Sequence, residues 1–115
     1  MGLSIGSFTI GEIPAPLEYQ FLDSNGAALN FSGGYTAKFQ WGRKVNVTVL
    51  ANATTANAVI TDPTNGKVTY SWTGVEFVTP GKYVGMFWVG NGTNRFASVE
   101  LTWTTCIAVN VAPII

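Results

Sequence analysis

A chain of 115 residues with no histidine, one cysteine and as many acidic as basic side chains can bury one hydrophobic core but not two. Only 10% of the residues are charged while 47% are apolar, against roughly 25% charged in soluble proteins, so the surface must be covered largely by Asn, Thr, Ser and Gly and is poorly protected against association. The basic residues Lys38, Arg43, Lys44, Lys67, Lys82 and Arg95 are scattered, which argues against a nucleic-acid partner, and no apolar run approaches the roughly 18 to 20 residues of a membrane-spanning helix, which argues against a membrane partner.

Residues 1–16 read as an extended N-terminal arm ending in Pro14-Ala15-Pro16. They lack the basic start and long apolar stretch of a secretion signal, and Gly6 stands where N-myristoylation requires Ser or Thr, so synthesis in a cytoplasm is expected. Period-2 alternation then recurs along residues 17–111, which form the predicted sandwich domain, and residues 112–115 form a short tail. Leu17, Tyr19 and Phe21 share one face of a first strand, closed by the turn Asp23-Ser24-Asn25-Gly26, where Asn-Gly readily takes positive φ. After the Gly33-Gly34 breaker, Tyr35, Ala37, Phe39 and Trp41 point inward, and Gly42-Arg43-Lys44 is expected to turn the chain. Val45, Val47 and Val49 make a third stripe, and residues 51–57, small and polar, are expected to form a loop. Asp62-Pro63-Thr64-Asn65-Gly66 is a strong turn signal, so residues 58–60 and 68–72 are expected to pair as a hairpin. Residues 73–80 cross over with one helical turn. The run 82–89 is apolar on both faces, as befits a central strand covered on both sides. Gly90-Asn91-Gly92-Thr93-Asn94 is the next loop; Ala97, Val99, Leu101 and Trp103 point inward after it, and Ile107, Val109 and Val111 give a last strand, with Cys106 expected as a buried thiol. About seven to nine short strands spaced in this way predict an all-β, immunoglobulin-like antiparallel β-sandwich, with an open barrel as its rival and packing in place of the antibody disulfide.

Reactive chemistry is hard to assemble from this inventory. Without histidine the commonest general base, nucleophile partner and metal ligand are all missing. Of the six carboxylates Glu12, Glu18, Asp23, Asp62, Glu76 and Glu100, two lie on polar strand faces and two open turns. Asp23 and Asp62 lack the about six to eight oxygen ligands of a calcium cage. The glycine pairs read as turns, since no Gly-Lys-Ser/Thr follows them. The expectation is therefore a chain with no catalytic residue, no metal and no cofactor. The sequons at Asn30, Asn46, Asn52 and Asn91 read as polar turn and strand-edge residues in the absence of a secretion signal. Trp41, Trp72 and Trp103 continue apolar stripes and belong to the core, while Trp88, on the second face of its strand, is the tryptophan expected to meet a partner. With it the candidate interface comprises Leu3, Ile5, Phe8, Ile10, Ile13, Ile114 and Ile115, the arm and tail docking by extended pairing on sheet edges.

The stretch Phe21-Leu22-Asp23-Ser24-Asn25-Gly26-Ala27-Ala28-Leu29-Asn30-Phe31-Ser32-Gly33, with the later Gly66-Lys67-Val68-Thr69-Tyr70-Ser71-Trp72 and Thr79-Pro80-Gly81-Lys82-Tyr83-Val84-Gly85-Met86-Phe87, resembles phage immunoglobulin-like domains related to the N-terminal part of baseplate upper proteins. The likeness covers residues 17–103 and consists of turns and core positions, so it speaks for fold more than for task. Baseplate proteins carry further domains where this chain stops, and a stand-alone copy looks like a small virion component. The resemblance implies a bacteriophage structural protein: a head decoration or minor capsid protein bound to the major capsid protein, or a tail or baseplate accessory, with homo-oligomers possible and the virion as its location. A carbohydrate-binding adhesion module displaying Trp88 is the alternative.

Overall fold

The computed structural model describes residues 3–44 and 50–106, with no side-chain description for 50–52. Within them the chain forms eight strands: β1 (Leu3–Thr9), β2 (Leu17–Gln20), β3 (Thr36–Lys44), β4 (Leu50–Asp62), β5 (Lys67–Tyr70), β6 (Gly81–Gly90), β7 (Arg95–Ala97) and β8 (Leu101–Cys106). Short 3₁₀ turns lie at Pro63–Asn65 and Val75–Phe77. The strands run in the order β1-β8-β6-β3-β4-β5-β2, with β7 also paired to β6. The fold is all-β and sandwich-like, a continuous curled sheet whose two ends face each other across the core. Every pairing of named strands is antiparallel except β1 with β8, which is parallel.

The curl depends on β4. Its first part pairs with β3, from Lys44↔Leu50 to Ala37↔Ala58, and its end pairs with β5 through Val59↔Thr69, Ile60↔Val68 and Asp62↔Lys67. The expected hairpin thus forms. At its turn Asn65 donates to Asp62 Oδ2 at 2.9 Å and Thr64 to Asp62 Oδ1 at 3.3 Å, and these bonds, Asn65 foremost, hold the carboxyl below its ordinary pKa. Gly66 closes the turn at φ 66°, where an added Cβ would stand 2.8 Å from the carbonyl oxygens of both Phe21 and Leu29.

Between the facing halves lies a layer of aromatic rings. Phe39 of β3 is fully buried and stacks on Tyr70 of β5 at 4.5 Å between centroids, with Phe87 at 4.9 Å and Trp72 at 5.9 Å around it. Trp103 extends the set toward Tyr83 and Trp41, while Tyr19, Phe21, Phe31, Tyr35 and Phe96 carry it to the other end. Phe8 and Phe77 join it through Trp72. Among the described residues Trp88 is the one aromatic side chain that makes no ring contact with the set. Gly85 is what lets the Phe39 ring approach β6, because a Cβ there would be 2.5 Å from its Cζ.

Several expectations are corrected. Residues 51–57 lie within the long strand β4: pairing with β3, from Arg43↔Ala51 to Lys38↔Asn57, overrides their loop-like composition. Gly42-Arg43-Lys44 is also strand, accommodated by a register shift between Trp41 and Arg43 and paired with Val84 and Tyr83 of β6. Residues 3–9, expected to be arm, form β1 on the chain's own sheet edge, with Leu3 opposite Leu101 and Thr9 opposite Cys106. The antiparallel expectation fails at this pair, where β1 runs parallel to β8. The alternation 95–103 reverses phase between β7 and β8. Ser98 turns inward, donating from its backbone N–H to the Phe87 carbonyl at 2.9 Å and accepting the Phe87 N–H on Oγ at 2.9 Å, so Ala97 and Val99 face out while Leu101 and Trp103 stay in the core. Cys106 follows inward-facing Thr105 by one residue and is exposed. The outer face of β6 is only partly covered, with Val84 buried and Met86 and Trp88 half-buried. The stripe at Val45, Val47 and Val49, the last strand at Ile107, Val109 and Val111, and the tail 112–115 lie outside the described residues.

Gly66→Ala and Gly85→Ala are each expected to lower stability by about 1–3 kcal/mol or more through backbone and ring clashes. Gly92→Ala, which meets nothing within 4 Å, should cost only the strain of its φ of 91°. Urea denaturation of the three variants checks this order.

Candidate functional site

The one buried carboxylate among the described residues, Glu76, sits in the 3₁₀ turn Val75–Phe77 with its side chain directed back toward β5. Its oxygens accept the Gly74 N–H at 2.9 Å, the Thr73 N–H at 3.1 Å and the Thr73 hydroxyl at 3.2 Å, and the Tyr70 hydroxyl donates a short hydrogen bond to Oε2. A carboxylate engaged on both oxygens and closed to solvent has no free lone pair to present to a substrate. Its work is to pin the crossover to β5. Burial first, then the bond to Glu76 and its charge, push the Tyr70 phenol far above its ordinary pKa. Two other carboxylates have local tasks: Glu12 accepts the Thr9 N–H at 2.6 Å, and Asp23 accepts the N–H groups of Asn25 and Ala27 at 2.8 and 3.0 Å. Among the described residues no three His, Cys, Asp or Glu side chains gather as a metal-ligand set, and no helix is long and apolar enough to cross a membrane.

The candidate interface residues do not converge. Phe8 turns inward, its ring 4.9 Å from Phe77, and Ile5 packs against the core beside it. Ile10 is half-buried just past β1. Leu3 and Ile13 are exposed, and Ile13 lies against Gly74, where an added Cβ would stand 3.5 Å from Ile13 Cγ1. Val75 and Val78, which the sequence reading missed, follow Gly74 along the same turn and stand 62% exposed, as Ile13 does at 67%, so this corner is apolar. Ile114 and Ile115 lie outside the described residues.

Trp88 occupies the opposite kind of place, on the outer face of β6. Register puts Lys38 directly across from it on β3 and Asn57 beyond Lys38 on β4, with Gln40 and Thr55 facing each other in the neighbouring row. Lys38 Nζ donates to Asn57 Oδ1 at 2.5 Å, and the Arg95 guanidinium from β7 stands 6.0 Å from the Trp88 ring centre. Lys38, Gln40, Thr55, Trp88 and Arg95 line an open groove of about 370 Å³. Sequence reading found Trp88 by its strand parity but not its neighbours, because cross-strand partners follow from register. Glu76 carried a local signal in Thr73-Gly74-Val75-Glu76, whose Thr-x-x-Glu spacing suits a side chain that reaches back over a turn.

No family model and no curated protein sequence matches this chain.

Glu76→Ala would leave the Tyr70 hydroxyl and the N–H groups of Thr73 and Gly74 without their acceptor, and a loss of about 3 kcal/mol or more is expected in chemical denaturation. Tyr70→Phe should lose about 1–3 kcal/mol. Its pH dependence has a definite sign. The unfolded phenol ionises near about pH 10 whereas the folded one stays protonated to higher pH, so the stabilisation is complete below about pH 10 and is lost as the pH rises beyond it. The gap in melting temperature between wild type and Tyr70→Phe should therefore narrow above about pH 10 and stay level from pH 7 to 9.

Proposed function

We infer that the chain is a non-enzymatic structural component of a bacteriophage particle, a decoration or minor capsid protein of the head that binds the major capsid protein through its folded surface. The observation that carries the reading is the apolar corner formed by Ile13, Val75 and Val78, exposed on a chain of which only a tenth is charged. Bulky apolar side chains clustered in water favour permanent burial against a neighbour, and a lattice of identical sites offers that burial at every copy. The resemblance of residues 17–103 to phage immunoglobulin-like domains supports the same reading, as does the use of Glu76 to hold the crossover. With residues 3–9 occupied as β1, contact by the folded surface takes the place of a reaching arm.

Cosedimentation with purified heads tests it. The wild-type chain should pellet with capsids at a fixed stoichiometry, and Ile13→Ser combined with Val75→Ser and Val78→Ser should lower occupancy at least about tenfold while the melting temperature changes little. A wild-type chain that stays free of heads, or a triple variant with undiminished occupancy, would contradict the reading.

A further inference from the structure

We propose that the groove beside Trp88 is a binding site for an acidic saccharide, a sugar carrying a carboxylate of the uronic or sialic type. This goes beyond the assembly reading and rests on a different face of the molecule. Three features of the groove select the ligand. Its charges, Lys38 and Arg95, are both positive and no carboxylate lines it, so an anionic group is favoured in a chain whose overall charge is zero. Its aromatic wall is the half-buried Trp88, held by the strand beneath it, which offers a fixed apolar face to the C–H face of a pyranose ring. Around that wall Gln40, Thr55 and Asn57 present amide and hydroxyl groups at one row's spacing, the donors and acceptors that sugar hydroxyls require.

The fold also argues against a peptide in this place. The groove floor is made by β4, β3 and β6. Of these β3 is paired on both sides, and the part of β6 that carries Trp88 lies between β3 and β7. No free edge is offered beneath Trp88 itself, so recognition at the ring falls to side chains, while the stretch of β4 that carries Thr55 and Asn57 is paired on its β3 side. Arg95 reaches across from β7 and is well suited to grip a carboxylate with two parallel N–H groups. The groove's volume of about 370 Å³ falls at the lower end of small-ligand clefts, which suits a short oligosaccharide.

The test is a titration of the purified chain with a short oligogalacturonate, with its uncharged methyl ester and with an oligoaspartate of equal charge. The readout is the Trp88 indole N–H resonance, assigned by its loss in Trp88→Phe. The acid should shift that resonance with a dissociation constant of about 10 mM or tighter, and the ester and the peptide should each bind at least about tenfold more weakly. Arg95→Gln, at an exposed position where folding is expected to be unaffected, should also weaken the acid at least about tenfold, as should about 0.5 M salt. Equal response to acid and ester, equal binding of the oligoaspartate, unchanged affinity in Arg95→Gln, or no shift of the Trp88 resonance would each overturn the proposal.

Discussion

Phe39 and Tyr70 meet nearly face to face in the middle of the molecule, one on β3 and the other on β5, and the closure of the curled sheet is organised around that contact. In the sheet β4 lies between these strands, pairing with β3 along one stretch and with β5 along the next. A strand that changes partners in this way can splay open as easily as it can curl. Rings that fill the space between the halves remove the choice, because apolar area is buried only when the sheet closes. The local features follow from the same constraint. Gly85 clears the back of Phe39, Gly66 brings the β4–β5 turn against Phe21 and Leu29, and Glu76 holds the Tyr70 hydroxyl so that the ring's polar end is satisfied where water is excluded.

Strand parity made much of this legible in the sequence. Tyr35 through Trp41, Leu17 through Phe21 and the hairpin at Asn65-Gly66 behave as alternation and turn chemistry require, because each is decided by contacts within a few residues. What escaped was decided farther away. Residues 51–57 have a composition that fits a loop, and only their pairing with β3 makes them strand. The reversal at Ser98 depends on the Phe87 backbone eleven residues earlier, which no local pattern announces. At residues 3–9 the extended conformation was anticipated, but the sheet edge it would occupy was not. The groove beside Trp88 was half legible: parity gave the tryptophan, while Lys38 and Arg95 reach it only through the pairing of β3 and β7 with β6.

The division between inside and outside then frames the functional reading. Aromatic residues are consumed by the interior, leaving Trp88 on the outer face with two cations and several amides, and leaving Ile13, Val75 and Val78 at a separate corner. Neither surface has the paired acid and base that bond cleavage demands. Both present apolar area on ordered backbone, and at Trp88 polar groups stand beside it.

Native-state amide hydrogen exchange, followed residue by residue, examines the role of the aromatic layer most directly. If the layer locks the halves together, the amides of β3, β6 and β5 nearest Phe39 and Tyr70 should exchange only through one shared global opening, with matching free energies and the same denaturant dependence. Amides of β5 and β2 that open at markedly lower free energy than those of β3 and β6 would show that the halves separate independently, and that the Phe39–Tyr70 contact does not hold the fold closed.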